Sequence, residues 1–236
     1  METCLGMHLL GARTVVAVDR FQPRGACSPN TETRESLRSH LLSRGFGSDV
    51  ETVNFAPDSH FGSSAEDFFE DENAGPFDGI FSWSVLEHLV DPERALNGMA
   101  RSMARGAVMV HSVDLRDHGL FAAVPDPHPL HFLRVPDSIY RRMSRGRGLP
   151  NRFLEPQYRR WLAESGLSGS VLIHSLVGSD VTYPGLPWKE LPQEDRSEAL
   201  ALVKAFRAKY RLASRFSHMT DRELAISGLF IVAERR

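Results

Sequence analysis

Cysteine is nearly absent: Cys4 and Cys27 are the only two in 236 residues. They provide neither a disulfide framework nor a metal-ligand spacing, and free thiols suit a reducing compartment, so redox and structural zinc chemistry are set aside. Long apolar runs are missing too. No stretch reaches the roughly 18 consecutive apolar residues that span a bilayer, and Met1 to Leu10 carries Glu2 where a signal peptide places Lys or Arg, so a cytoplasmic protein is expected. An excess of either charge is lacking as well. The net charge of −2 gives no global attraction to nucleic acid or to an anionic membrane, and no nucleic-acid partner is expected. No long polar tract divides the chain. With 42% hydrophobic residues it can bury one substantial core, and a single domain over residues 1–236 is the expectation.

What is present alternates. Thr14 to Asp19 is a β-branched apolar run ending in an acid, as a parallel strand buried on both faces requires. Ser28 and Pro29 offer an N-cap and a first-turn proline to a helix running through Leu37, Leu41 and Leu42 to Gly45. Val50 to Phe55 then alternates as a strand near the sheet edge. Phe77 to Ser82 reads as another strand, Asp91-Pro92 opens a helix carrying Leu96, Met99, Ala100 and Met103, and Ala107 to Val113 returns as a strand. Between Leu120 and Pro150 periodicity is lost and prolines gather, so residues 120–150 are expected to form a lid over a substrate site. A helix over Glu155 to Ser165, stopped by Gly166, leads to a strand over Val171 to Val177 and a proline-punctuated loop. A long helix from Asp195 to Leu212 and a strand from Ile226 to Ala233 close the chain. Such alternation predicts an α/β fold with a parallel sheet, helices on both faces and right-handed crossovers.

In open parallel sheets ligands bind beyond the carboxyl ends of the strands, which draws attention to Asp19: a fixed carboxylate there can accept hydrogen bonds from both ribose hydroxyls of an adenosine cofactor. Phe77-Asp78-Gly79-Ile80-Phe81-Ser82-Trp83-Ser84-Val85-Leu86-Glu87-His88-Leu89-Val90-Asp91-Pro92 resembles the fourth strand and following loop of class I methyltransferases. In that family an acid opens the strand, Ser or an analogue ends it, the Leu-Glu-His turn lines the cofactor cleft and Asp-Pro starts the next helix. The resemblance implies a Rossmann-like sheet of order 3-2-1-4-5-7-6 and S-adenosyl-L-methionine as cofactor. Asp19, Ala65, Glu66, Ser82, Glu87 and His88 are then the cofactor-binding candidates. His111-Ser112-Val113-Asp114-Leu115-Arg116-Asp117-His118, with Asn151-Arg152, is similar to methyltransferases of polysaccharide and glycan biosynthesis. Measured against the family the chain is N-terminally incomplete, because the first strand and its glycine-rich loop would precede residue 1. Gly6 and Gly11 do not reproduce that loop, which lets the backbone approach the cofactor. These residues alone are therefore expected to bind the cofactor weakly or not at all, and a form extended upstream to bind it in the micromolar range.

The function expected is methyl transfer to a hydroxyl of a small molecule or glycan precursor, where proximity and a general base carry the chemistry. No Asn-Pro-Pro-Tyr-like motif favours amino groups, Pro125-Asp126-Pro127-His128 being a different one. The catalytic candidates are His118, Asp114 and His111. His118 follows the fifth strand and faces the lid, histidine's ordinary pKa of about 6.5 suits a base, and Asp114 or Asp117 can orient it. Arginines at 134, 141, 142, 145, 147, 152, 159 and 160 form either a solvated face or a cradle for an anionic acceptor. Three other readings compete. A non-catalytic relative would serve as an assembly partner. An NAD-dependent oxidoreductase would need a glycine fingerprint and a Tyr-Lys pair that the three lysines, Lys189, Lys204 and Lys209, do not supply. A divalent metal among His111, Asp114, Asp117, His118, His128 and His131 lacks tight ligand spacing, so no metal is assigned.

Overall fold

A computed structural model describes residues 58–121, 123–124, 128–145 and 148–236, and in the N-terminal part residues 6–7, 11–20, 35–36, 39–40 and 42–44. The helix expected from Ser28 to Gly45 falls largely outside the described residues, and the strand expected over Val50 to Phe55 does so entirely. Two compact units divide the chain, residues 1–68 and 69–236.

In the first unit, β1 (Val16–Asp19) pairs in parallel with β2 (Asp58–Phe61), Asp19 standing opposite Phe61. Gly62 turns the chain out of β2 at φ 83°, which glycine adopts without steric cost, and its N–H bonds the Asp19 carbonyl at 2.9 Å. Ser64 then accepts the N–H of Asp67 and starts a single helical turn, α1 (Ala65–Phe68).

The second unit is built on a five-stranded sheet of order β3-β4-β7-β5-β6. Its strands are β3 (Phe77–Trp83), β4 (Met103–Asp114), β5 (Ser168–Leu176), β6 (Thr182–Leu186) and β7 (Ile226–Glu234). β3 and β4 are parallel, but β7 runs antiparallel to both β4 and β5. The expected parallel sheet is thus corrected to a mixed one. An apolar run such as Ile226 to Ala233 announces a strand, and its composition carries no direction. Within each sheet the neighbours follow the order implied by the resemblance: the third strand beside the second in one, and the fourth, fifth, seventh and sixth in the other. β6 is an added edge. Its Pro184 suggested a loop, and an edge is where a strand tolerates the missing N–H.

Side chains alternate across this sheet, and one face is closed. Ala107, Met109 and Val113 of β4, Leu229, Ile231 and Ala233 of β7, and Val171 and Ile173 of β5 are buried. Helix α2 (Pro92–Ser102) begins as its sequence indicates, Asp91 accepting the N–H of Arg94 at 3.0 Å ahead of Pro92, and it buries Leu96 and Met99. α4 (Glu155–Glu164) buries Tyr158, Trp161 and Leu162, packs on β5 and β7, and ends at Gly166, φ 75°. Before it lies α3 (Asp137–Ser144), which, with a 3₁₀ turn at His131–Arg134, occupies the segment whose prolines suggested irregularity. Pro136 there caps a helix. α5 (Gln193–Lys209) and α6 (Asp221–Ala225) complete the unit; Thr220 and Glu223 cap α6 reciprocally. Among the described residues no helix is long and apolar enough to cross a membrane.

Candidate active site

In the first unit the parallel pairing places Asp19 and the segment holding Ala65 and Glu66 at the carboxyl ends of two adjacent strands. Asp19 is exposed there, whereas Glu66 is buried.

In the second unit the informative ends are those of β3 and β4. After β3 the chain reverses through Ser84, at φ 51°, whose N–H bonds the Ser112 carbonyl at 2.9 Å. It then forms the 3₁₀ turn Leu86–His88. Asn151 locks that turn, its side-chain amide donating to the carbonyls of Leu86 and Leu89 at 2.8 and 3.0 Å and its own N–H to the carbonyl of Glu87 at 2.6 Å. Glu87 is 1% exposed. One carboxyl oxygen accepts the N–H of Asp114 at 3.2 Å, and the other, Oε2, is buried without a hydrogen-bond partner. Burial pushes this carboxyl up to about 7, against the hydrogen bonds that favour its charged form.

His88 and His118 meet edge to face, ring centres 4.9 Å apart. Burial, and then the charge on His118, hold His88 below its ordinary value. His118 adopts φ 53° in a tight turn, where Asp117 accepts the N–H of Gly119 at 2.9 Å. Asp117 is thereby engaged in its own turn, and Asp114 is the acid that reaches His118, with 3.7 Å between Oδ2 and Nε2. Arg116 grips Asp114 through both side-chain oxygens, at 2.7 to 3.1 Å. Burial would raise the Asp114 carboxyl, but the bonds from Arg116 outweigh it and hold it below the ordinary value. A cleft of about 260 Å³ opens beside Asp114, with Trp83, Ser112, Arg116, His174 and Asp180 in its wall.

The remaining candidates lie apart from this group. His111 pairs in register with Ser82, and the two share the closed face of the sheet, Ser82 Oγ and His111 Nδ1 being 2.8 Å apart. Fully buried, His111 is pushed down to about 4. His128 and His131 belong to an aromatic cluster with Phe206 and Tyr210. The arginine run is also dispersed. Arg152 is buried, bonding the carbonyls of Phe132 and Val135 and pairing with Asp137; Arg159 pairs with buried Glu155; Arg160 reaches Glu93 and Glu164. Arg141, Arg142 and Arg145 stay exposed, and Arg147 lies outside the described residues. Sequence reasoning assigned no role to Arg116 or Asn151. The spacing Asp-x-Arg at a strand end hinted at the first, but nothing local announces that Asn151 bonds a turn more than sixty residues earlier.

A family model described as a methyltransferase domain matches residues 10–169. The chain belongs to that family. Among solved structures it is similar to a SAM-dependent methyltransferase from Archaeoglobus fulgidus, at 11% identity and TM-score 0.44, covering 99% of this chain and 94% of the other. It is also similar to the YcgJ protein from Bacillus subtilis, at 11% identity and TM-score 0.39, covering 100% and 99%. A third is phosphoethanolamine N-methyltransferase 2 from Haemonchus contortus in complex with S-adenosyl-L-methionine, at 14% identity and TM-score 0.38, covering 94% of this chain and 43% of the other. Among curated proteins none matches.

Proposed function

We propose that the chain is an S-adenosyl-L-methionine-dependent methyltransferase acting on a hydroxyl of a small molecule or glycan precursor. The observation that carries this reading is the grouping of Glu87, His88, Asp114 and His118 at the ends of two adjacent parallel strands, inside the segment that the methyltransferase family matches. Asp19, Ala65, Glu66, Ser82, Glu87 and His88 are the residues assigned to the cofactor. The exposed carboxylate of Asp19 fits a ribose diol, which offers two donors to one acceptor group. The methyl donor supplies an electrophilic carbon on sulfur, and the chain's task is to hold the acceptor oxygen in line with it.

The acceptor side is assigned to His118, braced by Asp114, and to the cleft beside them. Trp83 is an exposed platform there, and Asp114, Arg116 and Asp180 offer polar partners, a combination that suits a ring bearing hydroxyls. His111 is behind this group in the sheet, as support for Ser82. The domain is proposed to run through both units, as the family match does. The test is a panel of sugar-nucleotide, polyol, phenol and amine acceptors, followed by S-adenosylhomocysteine release. Turnover with a hydroxyl acceptor supports the assignment, and turnover confined to amines overturns it. A non-catalytic assembly partner would release none with any acceptor and would gain no thermal stability from the cofactor, whereas a binder held at about 100 times its Kd gains about 2.7 kcal/mol.

A further inference from the structure

We infer that Glu87, His88 and His118 form a binding site for one divalent transition-metal ion. One ligand atom from each side chain lies within 4.8 Å of the other two. An ion held at about 2.1 Å from three such atoms needs them about 3.4 Å apart, a closure that rotation of the two imidazoles can provide. The supports of the three residues are rigid. Asn151 fixes the Leu86–His88 turn through three hydrogen bonds, and the left-handed turn at His118 is held by Asp117.

A second observation points to a cation independently of the spacing. Glu87 Oε2 is buried with no donor, and the Nδ1 of His88 is likewise buried without a partner. A carboxylate oxygen left unpaired in a low-dielectric site is costly, and the groups acting on Glu87 are the like-charged Asp114, the Ser84 hydroxyl and backbone N–H groups, with no Arg or Lys among them. A cation shared by the three side chains would give the Glu87 carboxylate the partner it lacks. Asp114, 3.7 Å from His118 Nε2, stands where a metal-bound histidine commonly keeps an outer carboxylate. One carboxylate with two imidazoles selects zinc, manganese or ferrous iron over magnesium or calcium, which prefer oxygen ligands. Three protein ligands also leave coordination positions open, as catalytic sites do. On the methyl-transfer reading, on which this clause rests, an open position is where the acceptor oxygen would bind, and His118 would act on it through the ion.

Metal binding is therefore read without turnover. The full-length protein, without a polyhistidine tag and stripped with a chelator, is titrated calorimetrically with Zn²⁺, Mn²⁺ and Mg²⁺ in the absence of cofactor and acceptor. One equivalent of Zn²⁺ or Mn²⁺ is expected to bind more tightly than Mg²⁺, and His118→Ala and Glu87→Gln to weaken it about 10-fold or more. His118 is at the surface, so its variant keeps the test open if Glu87→Gln fails to fold. Absence of one-equivalent binding, or binding unchanged by His118→Ala, overturns the site. S-adenosyl-L-methionine binding is measured in parallel on the form extended upstream: its absence there counts against the methyltransferase reading, whereas its presence without metal binding counts against the metal site alone.

Discussion

His111 and His118 lie seven residues apart and differ in what a proton would cost them. The His111 ring sits between Ser82 and Ile231 on the closed face of the sheet, so charging it forfeits hydration with one hydroxyl in return. Its folded pKa of about 4 lies below the ordinary 6.5, which fixes the sign of the linkage. Below pH 6.5 the unfolded chain takes up a proton that the folded chain refuses until about pH 4, and stability falls over that window. Between pH 7 and pH 5 the wild type should lose about 2 kcal/mol more than His111→Gln, by denaturant midpoints. Equal losses would place His111 in a hydrated setting. His118 instead lies near the surface beside Asp114. His118→Ala should lower turnover about 100-fold with cofactor affinity nearly unchanged, and a change of only a few-fold would make the residue structural. The sequence favoured His118 but kept His111 as a catalytic candidate, because strand parity, which hides His111, depends on a register set by distant partners.

Among the elements, the Leu86–His88 turn depends most on a remote residue. Asn151→Ala removes the two side-chain hydrogen bonds to the turn, leaving the carbonyls of Leu86 and Leu89 short of donors, and a third that accepts the N–H of Phe153, at a cost of about 1 to 3 kcal/mol. Denaturant unfolding measures the loss, and the metal titration should weaken in parallel; a variant as stable as wild type would mean that other contacts hold the turn. Elements whose signals are local were legible: Asp91-Pro92 as a helix start, Gly166 as a stop, Phe77 to Ser82 as a strand. α3, α6 and β6 were not, because each has eight residues or fewer and a proline in β6 or at the α3 cap that reads as a break. The arginine run failed as a patch for a related reason. Along the chain its members look continuous, but helix and loop geometry send Arg152 inward and pair Arg159 and Arg160 with local acids.

At the scale of the whole molecule, the strand-helix alternation and the Leu-Glu-His segment led to the family that the match to residues 10–169 establishes. The direction of β7, on which the mixed character of the sheet depends, was not readable from composition. Asp19 is the most exposed test of the proposed cofactor assignment. Calorimetric titration with S-adenosyl-L-methionine of the form extended upstream should give a Kd in the micromolar range, near −8 kcal/mol, and of residues 1–236 alone weak binding or none. Asp19→Ala should weaken binding by about 1.5 to 3 kcal/mol, the range for losing charge-assisted hydrogen bonds, and Asp19→Asn by less. No binding by the extended form at millimolar cofactor, or a Kd unchanged by Asp19→Ala in that form when folded by circular dichroism, would contradict the account.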